Sequence, residues 1–138
     1  IPIRKMLEID KIIPTAENLL GVPYKWGGKT SLGFDCSGLV QSVLKVCGLK
    51  VPRDSHKQWD YFFSFSDTID LLSSEPGDIH FFGIKKKITH VGLSTGGAGL
   101  LHSQGSVKQE SLDPSHDDFN AKLLDIYLST YSIKCKFQ

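Results

Sequence analysis

Apolar positions change their spacing twice along the 138 residues. In the first half they recur at helical intervals. Leu39, Val40, Val43, Leu44 and Cys47 form one stripe, preceded by Asp35 as an N-cap and followed by Gly48 as a stop, so a helix is expected over 36–47. Pro14 suits the first turn of a shorter helix over about 14–20, which Gly21 ends. A third helix is expected over about 55–63, after Pro52, with Trp59, Phe62 and Phe63 as packing residues. Between the first two helices, VPYKWGGKTSLGF (22–34) is loop chemistry. After the Pro76-Gly77 turn the period shortens to that of strands, at 78–82, 88–94 and 100–104. The KKK run at 85–87 and the GGAG turn at 96–99 separate them. From Asp118 the spacing of Phe119, Leu123, Leu124, Tyr127, Leu128 and Tyr131 returns to helix, and Ile133, Cys135 and Phe137 then alternate as a last strand. Helices first and a mostly antiparallel sheet second make an α+β fold.

Composition narrows the class without naming a function. With 40% apolar and 22% charged residues, the chain suits one globular domain that needs neither metals nor disulfides to hold its core. A net charge of +1 gives no electrostatic case for nucleic acid or an anionic membrane as main partner, and the lysine run is the solvated tip of a hairpin. Cys36, Cys47 and Cys135 are odd in number and widely spaced, which argues against a disulfide framework and a CxxC zinc site. No segment is long enough to insert in a membrane, no cofactor is called for, and a monomer is expected. The opening IPIRKMLEID has neither an initiator Met nor an apolar signal core, so the chain is expected to be a processed or trimmed product.

The candidate chemistry starts at FDCSGLVQS (34–42). Cys36 falls in the first turn of the expected helix, between Asp35 and Ser37, where backbone amides and the helix dipole favour a thiolate. Two readings stand side by side: a small packed hydrophobe, or a nucleophile. A nucleophilic thiol needs an imidazole to take its proton and a third group to orient that imidazole. His90 in ITHVGL and His102 in LLHSQG are the two histidines set in apolar strands around a glycine turn. If the strands form a hairpin whose partners sum to 192, centred on residue 96, the two face each other and can hydrogen-bond. His80, at the start of the FF run, is a competing base, while His56 and His116 are solvated by default. Satisfied core histidines, or a zinc held by Cys36, His90 and His102, are the remaining alternatives.

GVPYKWGG (21–28), FDCSGLVQ (34–41), VPRDS (51–55), EPGDIHFF (75–82), THVGL (89–93) and LLHSQG (100–105) together resemble the NlpC/P60 family of cell-wall cysteine peptidases. The resemblance runs from about residue 12 to 137 and implies a papain-like α+β core in a single catalytic domain over 1–138. It implies that Cys36 is the nucleophile, His90 the general base and His102 its orienting partner, with the Tyr24 hydroxyl near the oxyanion. It also assigns Asp35, Ser37 and Ser55 to the end of a stem peptide carrying a free L-Ala amine, and Trp26 to the cleft wall. Asp35 and Ser55 equally suit helix caps. The implied substrate is the γ-D-glutamyl–diamino acid bond of peptidoglycan, with meso-diaminopimelate and lysine both open. An amidase cutting between glycan and L-Ala, and a non-catalytic wall-binding module, are the rivals. The implied compartment is the cell envelope, with cytoplasmic recycling of imported fragments as the other. Relatives preferring free L-Ala commonly carry an SH3-like module upstream, and nothing before Leu20 has room for one.

Overall fold

The computed structural model describes residues 7–24, 27–30 and 33–134. Three helices, α1 (Ile12–Glu17), α2 (Cys36–Cys47) and α3 (Ser55–Phe65), come first. A two-residue hairpin, β1 (Lys29–Thr30) and β2 (Gly33–Phe34), sits just ahead of α2. The strands β3 (Thr68–Ile69), β4 (Ile79–Ile84), β5 (Lys87–Ser94), β6 (Gly99–Gln104), β7 (Ser106–Ser111) and β8 (Tyr127–Tyr131) follow, with the short helix α4 (Ala121–Asp125) before the last. They form one six-stranded sheet in the order β3-β8-β4-β5-β6-β7, antiparallel at every pairing.

α2 carries the packing. Its Leu39, Val40, Val43, Leu44 and Cys47 are buried in one cluster with Phe81, Val91, Leu93, Leu101 and Val107 of the sheet. Each such side chain removed from water contributes about 1.5–3 kcal/mol. Trp59 of α3 adds edge-on contacts to Phe81 and Tyr131, with ring centroids 5.3 Å apart in each case. A second, smaller cluster of Phe82, Ala98, Leu100, Leu112 and Leu123 lies under α4.

The expected α+β order holds, and α2 has the bounds its stripe and caps predict. Several details differ. α1 begins two residues early and ends at Glu17, with Gly21 at φ 87 closing the turn that follows. The helix expected from Asp118 stops at Asp125, because Tyr127–Tyr131 pairs with β4 (Ile79 with Tyr131, Phe82 with Tyr127). Burying Thr130 and Tyr131 in a ladder outweighs a helical spacing that aromatic and β-branched residues support poorly. Residues 132–134 are not a strand, and the rest of the expected last strand, with Cys135, lies outside the described residues. β1, β2, β3 and β7 were not expected at all, and α3 runs on to Phe65.

The β5–β6 register also differs from the expected one. Leu93 faces Leu101 and Ser94 faces Leu100, so partners sum to 194 and the turn centres on Gly97. Gly96 and Gly97 take φ of 116° and 54°, which side-chain-bearing residues adopt at a cost. A shift of two keeps both histidines on one face, as diagonal rather than direct neighbours.

Candidate active site

The site begins at the head of α2. Asp35 is extended (φ −84, ψ 176), and its Oδ1 accepts the Gly38 amide at 2.6 Å, the N-cap bond the sequence calls for. Its Oδ2 accepts the Gly27 amide at 3.1 Å and an Arg53 Nη2 donor at 2.9 Å. Arg53 Nη1 also donates to Ser37 Oγ at 3.0 Å. From α3, the buried Gln58 donates to the carbonyls of Ser37 (3.0 Å) and Pro52 (2.8 Å). From β6, Ser103 Oγ donates to the Phe34 carbonyl at 2.7 Å. The first turn of α2 is therefore tied to a loop, a helix and a strand, which fixes where Cys36 points.

Cys36 is half-buried against β5. Beyond Leu93 no further β5–β6 pairs form toward the histidines, and the backbone amide of Val91, the residue after His90, is close enough to the Cys36 sulfur to favour its thiolate. Burial pushes the thiol above its ordinary range and the Asp35 carboxylate adds to this, against the pull of the Val91, Ser37 and Cys36 amides. The thiol at rest is therefore neutral, contrary to the depressed value expected at a helix N-terminus. Desolvation outweighs the dipole here.

The imidazoles are joined. His90 Nε2 and His102 Nδ1 lie 2.7 Å apart, and His102 Nε2 lies 2.7 Å from Glu110 Oε1. Zinc–nitrogen bonds of about 2.0–2.1 Å would hold the two ring nitrogens further apart than this, so the pair is a hydrogen-bonded relay, not a ligand set. Burial lowers His90 to about 3, with help from the charges of His102 and Lys108. Burial also lowers His102, against the opposing pull of Glu110. Both rings are neutral near pH 7. The Phe82 ring sits 5.6 Å from the His90 ring and shields it from water. Gly92 makes the crossing possible, since a Cβ there would stand 2.9 Å from His102 Cβ and 2.5 Å from Leu100 Cδ1.

The expected residues divide as follows. His90 and His102 meet, and Cys36 lies by the Val91 amide, the residue after His90, although among the described residues no hydrogen bond joins Cys36 directly to His90. Tyr24 is exposed; burial and the charges of Cys36 and Asp35 raise its phenol, which places it within electrostatic reach of the thiol. Asp35 and Ser37 flank Cys36 but are already bonded to Arg53. Ser55 is the first residue of α3, whose N-cap is Asp54. Trp26 lies outside the described residues. His80 is no base: it is fully buried, its Nδ1 2.7 Å from Thr130 Oγ1 and its Nε2 3.1 Å from the Gly99 carbonyl. Sequence reasoning missed Arg53, Gln58, Glu110 and Gly92. The same hairpin test about Gly105 would have found Glu110. There partners sum to 210, putting Lys108 opposite His102 and Glu110 one diagonal step away on the same face.

A thiol at the head of a helix, set beside a strand that carries a relayed imidazole, is the arrangement a thiol hydrolase needs. The NlpC/P60 family model matches residues 21–125, and the chain belongs to this family. It is 40% identical over 97 residues to the gamma-D-glutamyl-L-lysine dipeptidyl-peptidase of Bacillus subtilis, covering 68% of this chain and 31% of that protein. The chain thus spans about a third of the length of that relative. A crystal structure of an NlpC/P60 family protein from Bacillus cereus superposes with a TM-score of 0.76 at 26% identity, over 92% of this chain and 41% of that one. RipD of Mycobacterium tuberculosis, a non-catalytic NlpC/P60 protein adapted to peptidoglycan binding, shares the fold (TM-score 0.68, 22% identity, 91% of this chain and 97% of that one). Among the described residues no helix is long and apolar enough to cross a membrane.

Proposed function

We propose that the chain is a cysteine peptidase of the cell envelope that hydrolyses the γ-D-glutamyl–diamino acid bond of peptidoglycan stem peptides. The observation that carries this reading is a half-buried thiol at the head of α2, within electrostatic reach of the Val91 amide, while the neighbouring His90 is a neutral imidazole with one nitrogen held by a second histidine. The 40% identity to a γ-D-glutamyl-L-lysine peptidase supports the choice of bond. Because thiol and imidazole are both neutral at rest, the proton moves as the bond forms. His90 Nδ1 takes the thiol proton while the sulfur attacks the γ-carbonyl carbon. The Cys36 amide and the Tyr24 hydroxyl receive the oxyanion. The imidazolium then protonates the departing diamino acid nitrogen as the C–N bond breaks, leaving a thioester on Cys36. Water, giving its proton to His90, attacks that thioester, and the released sulfur recovers a proton from the same ring. No cofactor enters.

Asp35, Ser37 and Ser55 face the N-terminal side of the stem peptide in this scheme. The Arg53 guanidinium offsets the Asp35 charge and occupies one acceptor site of Ser37, so the subsite does not depend on a free L-Ala ammonium and accepts longer stem peptides. Digestion of defined muropeptides, with and without that free amine, tests both statements by product mass. L-Ala-γ-D-Glu, free or still attached to the sugar, and its loss in Cys36→Ala, are expected. An intact stem peptide freed from sugar would instead mean an amidase, and a muropeptide profile identical in both proteins would mean a binding module.

A further inference from the structure

Beyond the thiol and its two histidines, a polar chain continues outward through Glu110 to Asn120. Lying on β7 and only partly buried, with its side chain 20% exposed, Glu110 bonds His102 Nε2 at 2.7 Å. Asn120 Nδ2 donates to both its oxygens, at 3.2 and 3.4 Å, and Lys108 Nζ lies 3.8 Å from Oε1. The direction of the Asn120 amide is itself fixed, because its Oδ1 caps α4 by accepting the Leu123 amide at 3.0 Å. Burial disfavours the charge on Glu110, but the hydrogen bonds from His102 and Asn120 and the charges of His102 and Lys108 outweigh it and pull the carboxyl below its ordinary range. The group is therefore a carboxylate.

A carboxylate only accepts. His102 Nε2 must then carry the proton and donate it. A neutral His102 is left with a lone pair on Nδ1, so His90 Nε2 must be the donor across the 2.7 Å bond between the rings. A neutral His90 with its proton on Nε2 has its Nδ1 unprotonated. Each bond forces the next, and the series ends at the nitrogen that has no partner among the described residues.

We infer that Glu110, pinned by Asn120, is a positioning residue that sets the proton order of the His102–His90 relay and thereby keeps the Nδ1 lone pair of His90 free for the nucleophile. The kinetic part of this rests on the peptidase reading above, whereas the proton order itself does not. Without the carboxylate the relay has two orders of similar standing. In the reversed one His90 Nδ1 holds a proton and cannot take another.

Nitrogen-15 NMR of histidine-labelled protein at pH 7 reads the order directly. In the wild type, both His90 and His102 should be neutral with the proton on Nε2. Glu110→Gln keeps the shape but offers an amide that can donate or accept, so a His90 population protonated on Nδ1 should appear. On muropeptides its kcat should fall about 10-fold to 10⁴-fold with KM nearly unchanged, the upper figure being the loss known when a relayed imidazole is held in the wrong tautomer. Glu110→Asp, which restores a carboxylate, should recover both the tautomer and part of the rate. A doubly protonated His102 or an Nδ1-protonated His90 in the wild type overturns the inference, as does a Glu110→Gln protein with unchanged tautomer and kcat. The expected tautomers in a protein that cleaves no muropeptide would reject the peptidase reading and leave the relay standing.

Discussion

His80 and His90 sit in neighbouring strands of one sheet, both buried and both neutral, and only one of them is placed for chemistry. Burial lowers His80 to about 4 and His90 to about 3, so neither exposure nor charge separates them. Spare bonding capacity does. Both nitrogens of His80 are used, one by Thr130 and one by the Gly99 carbonyl. His90 spends Nε2 on His102 and keeps Nδ1 unbonded among the described residues, one residue from the Val91 amide that favours the Cys36 thiolate. A saturated buried histidine stiffens a core, whereas one with a single open nitrogen can move a proton.

Substitutions should break this comparison to different degrees. The largest effect is expected from removing either reacting group. Cys36→Ala and His90→Ala should each lower kcat about 10⁴-fold or more on muropeptides, with the melting temperature nearly unchanged in Cys36→Ala. Gly92→Ala comes next. A methyl group there overlaps both Leu100 and His102, so it should cost about 1–3 kcal/mol of stability, seen in denaturant melts, and displace His102 enough to lower kcat as well. His80→Gln should reverse the pattern, with about 1–3 kcal/mol lost in the same melts and an unchanged rate per folded molecule. A rate that tracked His80 rather than His90 would invert the assignment.

The broadest effect, spread over several pH units rather than tied to one substitution, is on acid stability. The folded values of His80 and His90 lie below the unfolded value of about 6.5. Between these limits the unfolded chain binds protons that the folded chain refuses, so stability rises with pH across the window. It should be complete above about pH 6.5 and drain away as the pH falls toward 4, by up to about 1.4 kcal/mol per pH unit for each histidine. Melting temperatures from pH 8 to 4 check this, and a flat profile would mean that the rings are not buried neutral. In His80→Gln the slope should be shallower.

How far the sequence exposed these features depended on where each was encoded. α2 was legible because its cap, its stripe and its stop lie within one stretch of chain, from Asp35 to Gly48. The pairing of His90 with His102 was legible because a face is a matter of parity, which survived an error of two in the register. β8 was not, since Phe119 to Tyr131 satisfies a helical period that only pairing with β4 overrides. Arg53 and Gln58 gave no local sign of their targets, which lie 16 to 21 residues back at the head of α2. Glu110 looked like one polar residue in SVKQES, and its role exists only through the β6–β7 register. The depressed thiol expected at the helix N-terminus failed for a related reason. The burial that raises it comes from tertiary packing around Cys36.

The central claim, that Cys36 is acylated with His90 rather than His80 as its base, can be read from one covalent intermediate. Muropeptide should be mixed with wild type, His90→Ala and His80→Gln proteins, quenched in acid within a turnover, and each protein weighed intact and as fragments. A thioester carrying the L-Ala-γ-D-Glu acyl group is expected on Cys36 in the wild type and in His80→Gln, and almost none in His90→Ala. An adduct on another residue, or one that forms in His90→Ala as fast as in the wild type, would contradict the claim.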